Sequence, residues 1–158
     1  MLRNRYCIAN WKMNFSHSQV IDYFDDILNN NLSNSKNKIV ICPSYTELFT
    51  LGSKLKGTNI DIGAQNVSSE LAGAFTGEVS CYMLKETGCK WVIIGHSERR
   101  RHFAESNLII KKKIDNLFSV GLLPVLCIGE TYEERKSGKT FEILSDQLIN
   151  TCKNQNAH

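Results

Sequence analysis

Several features that mark other protein classes are absent from this 158-residue sequence. None of its six cysteines forms a C-x-x-C pair, and no cysteine–histidine set has zinc-finger spacing, so we expect no structural metal site. No G-x-G-x-x-G or P-loop motif follows a candidate strand, which argues against a nucleotide-binding protein. The formal net charge of +3 is too small and too scattered to indicate a nucleic-acid or membrane partner.

Long apolar runs are also missing. No stretch approaches the length needed to cross a membrane, and the N-terminus has no signal-peptide apolar region. Cys7, Cys42 and Cys127 lie in apolar strand-like runs, where a free cysteine behaves as a small core residue. We therefore expect reduced thiols, a cytoplasmic location and a single domain over residues 1–158.

The residues that are present alternate between strand and helix patterns. Short apolar runs predict buried strands at 6–13, 39–43, 60–65, 91–94 and 122–128. Helical spacing of apolar residues predicts helices at 16–32, 44–56, 80–87 and 106–121, a short one after Glu130, and a last one on Phe141, Leu144, Leu148 and Cys152. Five βα units in strict alternation predict an α/β fold with a parallel sheet. Either an open doubly wound sheet or part of a (βα)8 barrel satisfies this pattern.

Polar side chains follow the predicted strands at the point where each strand ends. They are Asn10 and Lys12, Gln65 and Asn66, His96 and Glu98, and Glu130. Because the carboxyl ends of parallel strands meet at one mouth in either architecture, we expect the functional site there.

Four motifs then stand in order along the chain: NWKMN at 10–14, GAFTGE at 73–78, GHSERR at 95–100 and CIGE at 127–130. In these motifs and their spacing the sequence resembles the triosephosphate isomerase family over essentially its whole length. The resemblance implies a (βα)8 TIM barrel, of which these residues form a partial barrel of about five βα units.

The resemblance also implies an activity, the interconversion of dihydroxyacetone phosphate and glyceraldehyde 3-phosphate through an enediolate, with no cofactor or metal. His96 matches the histidine that hydrogen-bonds the substrate oxygens and shuttles a proton. In this family a helix N-terminus keeps that imidazole neutral. Lys12 would supply a fixed positive charge near the enediolate and the substrate phosphate. Asn10 would orient Lys12 and contact substrate. Glu98 would be a polar partner in the site, or else only a structural ion pair with Lys12.

In the family, the loop that matches Thr76, Gly77 and Glu78 inserts into a partner subunit, so the resemblance implies a homodimer. The alternative is a mobile surface loop. Arg99 and Glu105 match a structural ion pair of the family, and Cys127 matches a packing residue behind the site. Two positions depart from the pattern: Ala104 stands where glycine is expected, and Cys81 where proline is common. Neither changes the assignment.

The main departure is length, because a (βα)8 barrel needs roughly 250 residues. In the family, the glutamate that removes the carbon-bound proton, the lid and the main phosphate loops follow strands six to eight, and no such segment occurs in this sequence. We expect two open sheet edges and uncovered apolar side chains. Our hypothesis is an N-terminal portion of a longer enzyme. The alternative is a non-catalytic, self-associating half-barrel module.

Overall fold

The structure is a computed structural model that describes residues 5–29 and 37–152. Its strands are β1 (Tyr6–Asn10), β2 (Lys38–Cys42), β3 (Ile60–Ala64), β4 (Trp91–Ile94) and β5 (Leu123–Leu126). Its helices are α1 (His17–Asn29), α2 (Leu48–Lys54), α3 (Cys81–Glu86), α4 (Ser97–His102), α5 (Asn107–Val120), α6 (Tyr132–Lys136) and α7 (Thr140–Cys152). The predicted alternation of strands and helices is confirmed.

All five strands are parallel and lie side by side in chain order. An open doubly wound sheet reverses its strand order at a switch point, whereas a barrel keeps the chain order. The sheet also curls. The Tyr6 and Trp91 rings meet at a centroid distance of 5.5 Å although β2 and β3 lie between their strands, and strands spaced about 4.8 Å apart in a flat sheet would hold them much farther apart. The partial TIM barrel is therefore confirmed.

Apolar side chains fill both faces of the sheet, because successive residues of a strand point to opposite sides. The larger cluster lies between the sheet and the helices and includes Phe24, Leu51, Val92 and Leu117. A smaller cluster, Val40, Cys42 and Ile93, fills the concave face.

Capping residues mark the ends of two helices. Ser80 and Ser106 accept backbone hydrogen bonds from Met83 at 3.4 Å and Ile109 at 3.3 Å, as N-cap serines do. Gly121 ends α5 in the left-handed conformation, with φ of 78°.

Other boundaries differ from the prediction. Strand β1 stops at Asn10 instead of continuing to residue 13, because Lys12 has a left-handed backbone with φ of 55°. The predicted helix at 44–56 is a 3-10 turn, Tyr45–Glu47, followed by α2. Residues 30–32 of the first predicted helix, which include Leu32, lie outside the described residues.

Two expectations about burial were wrong. Cys7 is exposed and is not a core residue, because it lies on β1, which pairs with one strand only among those described. The last helix buries Gln147 and Thr151, whereas Phe141 is 84% exposed and Leu148 is also exposed. The reason is that α7 packs mainly on α5 and leaves the other side of its apolar stripe without a neighbour in the described structure.

The expected open edges are present. Within the described strands β1 and β5 each have a single neighbour, and Tyr6, Ile8 and Leu123 are exposed. None of the helices in residues 5–29 and 37–152 is long and apolar enough to span a membrane.

Candidate active site

Lys12 stands just past the end of β1 in a conformation that its surroundings enforce. A left-handed backbone costs a lysine about 1–2 kcal/mol. Its backbone N–H donates to Asn10 Oδ1 at 3.0 Å, and its carbonyl accepts from Gln65 Nε2 at 2.8 Å. The same Gln65 nitrogen donates to the Cys42 carbonyl at 2.9 Å. The sequence placed Gln65 at the mouth but assigned it no role; the structure shows that it holds the loop after β1 against β2.

The Lys12 ammonium reaches across the mouth to Glu98. Nζ lies 2.6 Å from Oε1, and the two side chains are 51% and 45% exposed. The hydrogen bond from Lys12 lowers the pKa of the Glu98 carboxyl below its ordinary value. Exposed ion pairs of this kind contribute little stability. What the pair does is bring together two predicted site residues that lie 86 positions apart in the chain.

His96 is the N-cap of α4, and the capping hydrogen bond fixes the orientation of its ring. Its Nδ1 accepts a hydrogen bond from the Glu98 backbone N–H at 3.3 Å. We assign the neutral tautomer with the proton on Nε2 from this bond, because an Nδ1 that accepts carries no proton. The ring is mostly buried, with 22% of the side chain exposed, and Nδ1 lies 3.5 Å from Glu98 Oε2. His96, Glu98 and Lys12 therefore form one constellation.

Gly95 allows the chain to turn from β4 into α4. Its φ is 70°, a conformation that favours glycine. A Cβ added there would also lie 3.1 Å from Arg100 Nη2 and 3.2 Å from both the Cys127 carbonyl oxygen and Ile110 Cδ1. Backbone conformation and crowding both require glycine before His96.

A buried ion network underlies the site. Glu105 Oε1 accepts from Arg99 Nε at 2.6 Å, which is the ion pair that the resemblance implied, and from Lys113 Nζ at 2.5 Å. Lys113 Nζ also donates to Asn66 Oδ1 at 2.8 Å. Lys113 is not among the predicted site residues; the signal for it in the sequence is a lysine placed among Ile110, Ile114 and Leu117 on the apolar face of α5.

The charges in this network stabilise one another. Burial alone would raise the pKa of the Glu105 carboxyl, but hydrogen bonds from Lys113 and Arg99 outweigh burial and hold it below its ordinary value of 4.5. Burial lowers the pKa of Lys113 from its ordinary value, and the Glu105 hydrogen bond opposes that shift. The network fastens α4, α5 and the segment after β3 together beneath the mouth.

The two unusual positions are explained by the structure. Ala104 has φ of 52°, a left-handed conformation in which glycine would be unstrained. Cys81 is the first residue of α3, where proline is favoured because its missing N–H needs no partner. A cysteine is tolerated there because the first turn requires no hydrogen bond from it.

The remaining predicted residues lie apart from this constellation. Thr76 and Gly77 form an exposed turn, closed by a 3.0 Å hydrogen bond from the Glu78 N–H to the Phe75 carbonyl. Glu130 Oε1 accepts from Arg135 Nε at 2.7 Å and Thr140 Oγ1 at 3.2 Å. Its carboxylate is thus held within the segment that follows β5. In the described parts of the chain, no group of three or more histidine, cysteine, aspartate or glutamate side chains is arranged to hold a metal ion.

The fold and the site together define the class: a partial (βα)8 barrel with its polar constellation at the carboxyl ends of the strands, where barrel enzymes carry their active sites. The comparisons with known proteins give the family. The family model described as triosephosphate isomerase matches residues 5–158. The chain belongs to the triosephosphate isomerase family.

Individual relatives agree with this assignment. The chain is 43% identical over 147 residues to the triosephosphate isomerase of Dictyoglomus thermophilum, covering 93% of this chain and 59% of that protein. Against the Aquifex aeolicus triosephosphate isomerase it is 44% identical over 144 residues, covering 91% and 58%. A crystal structure of triosephosphate isomerase from Bartonella henselae superposes with a TM-score of 0.90 at 35% identity, covering 98% of this chain and 64% of that one. The chain spans less than two thirds of the length of these relatives.

The Glu105 network predicts an acid-sensitive stability. The pKa of Glu105 is lower in the folded protein than in the unfolded chain. The ionised carboxylate therefore contributes its full stabilisation above the unfolded pKa, and that contribution is lost as the pH falls from about 4.5 through the folded pKa. Glu105→Gln removes this dependence and leaves Lys113 buried without its anion, so we expect a loss of about 3–5 kcal/mol at neutral pH. Urea denaturation of the natural protein between pH 3 and 7 measures both effects. Glu142→Gln, at an exposed glutamate of α7, is the control; equal stability of the two variants at neutral pH would contradict the account.

Proposed function

We propose that the natural protein containing this chain interconverts dihydroxyacetone phosphate and glyceraldehyde 3-phosphate by proton transfer through an enediolate. The observation that carries the proposal is the constellation of Lys12, Glu98 and His96, joined by the 2.6 Å ion pair and the 3.3 Å hydrogen bond. Membership of the family supports the substrate class, a small phosphorylated triose.

Lys12 supplies the positive charge. Its ammonium pairs with Glu98 at the exposed mouth, so an anionic ligand can approach without displacing buried groups. A cation held there stabilises the oxygen that becomes negative in the enediolate and attracts the phosphate. Asn10 holds the Lys12 backbone N–H at 3.0 Å and contacts substrate, and Glu98 keeps the ammonium at the mouth until substrate arrives.

His96 moves the proton between the two substrate oxygens. With Nδ1 occupied by the Glu98 N–H, Nε2 is the nitrogen that donates. A neutral imidazole can give this proton to one enediolate oxygen and recover one from its neighbour. Ketone and aldehyde are exchanged when the proton removed from one carbon is then returned to the adjacent carbon. The base that removes the carbon-bound proton is, in the family, a glutamate after a sixth strand. Turnover is therefore proposed for the natural protein with the remaining βα units. The chemistry proposed uses no cofactor or metal.

The proposed assembly is a cytoplasmic homodimer whose protomer contains residues 1–158 as one domain, without a nucleic-acid or membrane partner. The turn of Thr76, Gly77 and Glu78 supports the dimer, because it is fastened at its base by the 2.8 Å hydrogen bond from Ser68 N to Val79 O and is exposed at its tip. Phe75 is exposed beside it. A turn fastened at its base with an exposed aromatic ring is suited to insert into a partner subunit.

The two open edges of the described sheet support a second candidate, a non-catalytic module that self-associates. Tyr6, Ile8 and Leu123 are exposed on the two edge strands, and such edges promote association. Stable oligomers without isomerase activity would favour this candidate over the enzyme.

The enzymatic proposal predicts the effect of two substitutions in the natural protein. Lys12→Met and His96→Gln should each lower kcat/KM for triose phosphate isomerisation by roughly 10²–10⁴-fold, because each removes a group that acts in the transition state. Circular dichroism should show the fold unchanged. Lys136→Met, at an exposed lysine of α6, and His102→Gln, at the exposed end of α4, are the matched controls. Near-normal activity of both site variants would refute the proposal.

The dimer proposal predicts that Phe75→Asp weakens association. A carboxylate at the tip would have to lose its hydration in the interface, so the dimer should dissociate at higher protein concentration than the unsubstituted protein. Sedimentation velocity over a concentration series measures this. Phe141→Asp, at an exposed phenylalanine of α7, is the control. If the two variants dissociate alike, the turn does not form the interface.

A further inference from the structure

A chain of hydrogen bonds connects α7 to the turn that carries His96. Asp146 Oδ2 accepts from Asn107 Nδ2 at 3.0 Å, and Asn107 Oδ1 accepts from Arg100 Nη1 at 2.7 Å. Arg100 Nε then donates to the carbonyl of Gly95 at 2.9 Å.

The last bond of this chain acts directly on His96. The Gly95 carbonyl and the His96 N–H belong to one planar peptide unit, so holding the oxygen fixes the plane from which the His96 residue departs. His96 has φ of −53° and ψ of 140° and is the N-cap of α4. The direction of its ring depends on that plane.

The guanidinium also packs against the turn. A Cβ on Gly95 would lie 3.1 Å from Arg100 Nη2 and 3.2 Å from the Cys127 carbonyl oxygen. Cys127 is itself tied to the end of β4 by the 2.8 Å hydrogen bond from its N–H to the Ile94 carbonyl. The turn is thus held between the guanidinium and the end of β5.

Arg100 is poorly placed to stabilise the fold. The two oxygens that it bonds belong to a backbone carbonyl and an amide, and Nη2 is buried without a hydrogen-bond partner in the described part of the chain. Partial burial lowers the pKa of its guanidinium, and the Glu105 and Asp146 charges oppose that shift. A cation that is partly buried with no carboxylate in direct contact gains little stability from its position. The planar guanidinium instead fixes the relative positions of the groups it binds, because two of its nitrogens donate to two oxygens in fixed directions.

We propose that Arg100 is a positioning residue for His96, and that Asn107 and Asp146 hold Arg100 in place for this purpose. Arg100 touches no substrate; it sets the peptide plane from which the catalytic imidazole projects. The inference rests on the proposed isomerase function and adds to it residues outside the mouth.

The test uses the natural protein with Arg100→Met and Asn107→Ala. A catalytic group displaced by an ångström loses up to about 100-fold in rate, so we expect Arg100→Met to lower kcat roughly 10- to 100-fold with KM little changed. Asn107→Ala should act in the same direction with a smaller effect, and the double variant should be less than additive. Arg101→Met is the matched control, since Arg101 is exposed on the same helix and, among the described residues, its side chain hydrogen-bonds His102 alone.

A second readout separates positioning from general stability. The ¹⁵N signals of the His96 imidazole, recorded without substrate, should shift in Arg100→Met and Asn107→Ala and stay in place in Arg101→Met. Because this measurement needs no turnover, it decides the inference even if the protein proves to have no isomerase activity. Unchanged His96 signals with unchanged kcat would overturn it, as would a loss of stability alone with the His96 signals in place. If Arg100→Met fails to fold, Asn107→Ala decides by the same criteria.

Discussion

The curl of the parallel sheet is the constraint on which the site depends. Lys12 follows β1 and His96 follows β4, and in a flat sheet two intervening strands would separate them. The contact of Tyr6 with Trp91 on the concave face, at a centroid distance of 5.5 Å, shows how far the sheet closes. Only because of that closure can the Lys12 ammonium lie 2.6 Å from Glu98. Fold and site are thus consequences of the same strand order.

Two features hold the site in place: the ion network beneath the mouth and the constrained backbone of Lys12. Glu105, Arg99 and Lys113 form a buried hub that is costly to desolvate and costly to break, and it fastens the helix that begins after His96. Lys12 keeps its left-handed backbone because Asn10 and Gln65 hold both sides of it. Strain of this kind at a strand end is typical of functional sites, since the surrounding structure fixes the conformation.

Much of this could be predicted from the sequence. Apolar runs predicted the five strands, and apolar residues at helical spacing predicted α3 and α5 close to their observed limits. The polar residues after the strands predicted the mouth, and the motif around His96 indicated the chemistry. Local patterns carried each of these predictions.

What the sequence could not predict depends on neighbours in space. Cys7 reads as a core residue, yet it is exposed because its strand is an edge of the described sheet. Gln147 reads as a surface residue, yet it is buried with its amide paired to Gly129 N and O at 2.9 Å each. Lys113 lies on the apolar face of α5 for a reason that only its partners Glu105 and the distant Asn66 explain.

The measurement that tests the central claim most directly is a crystal structure of the natural protein with glycerol 3-phosphate, an unreactive analogue of the triose phosphates. We predict that its oxygens lie within hydrogen-bond distance of Lys12 Nζ and His96 Nε2, at about 2.7–3.2 Å, with His96 Nδ1 still accepting from the Glu98 N–H. A ligand bound away from both residues, with the Lys12–Glu98 pair undisturbed, would contradict the assignment of the mouth as the active site.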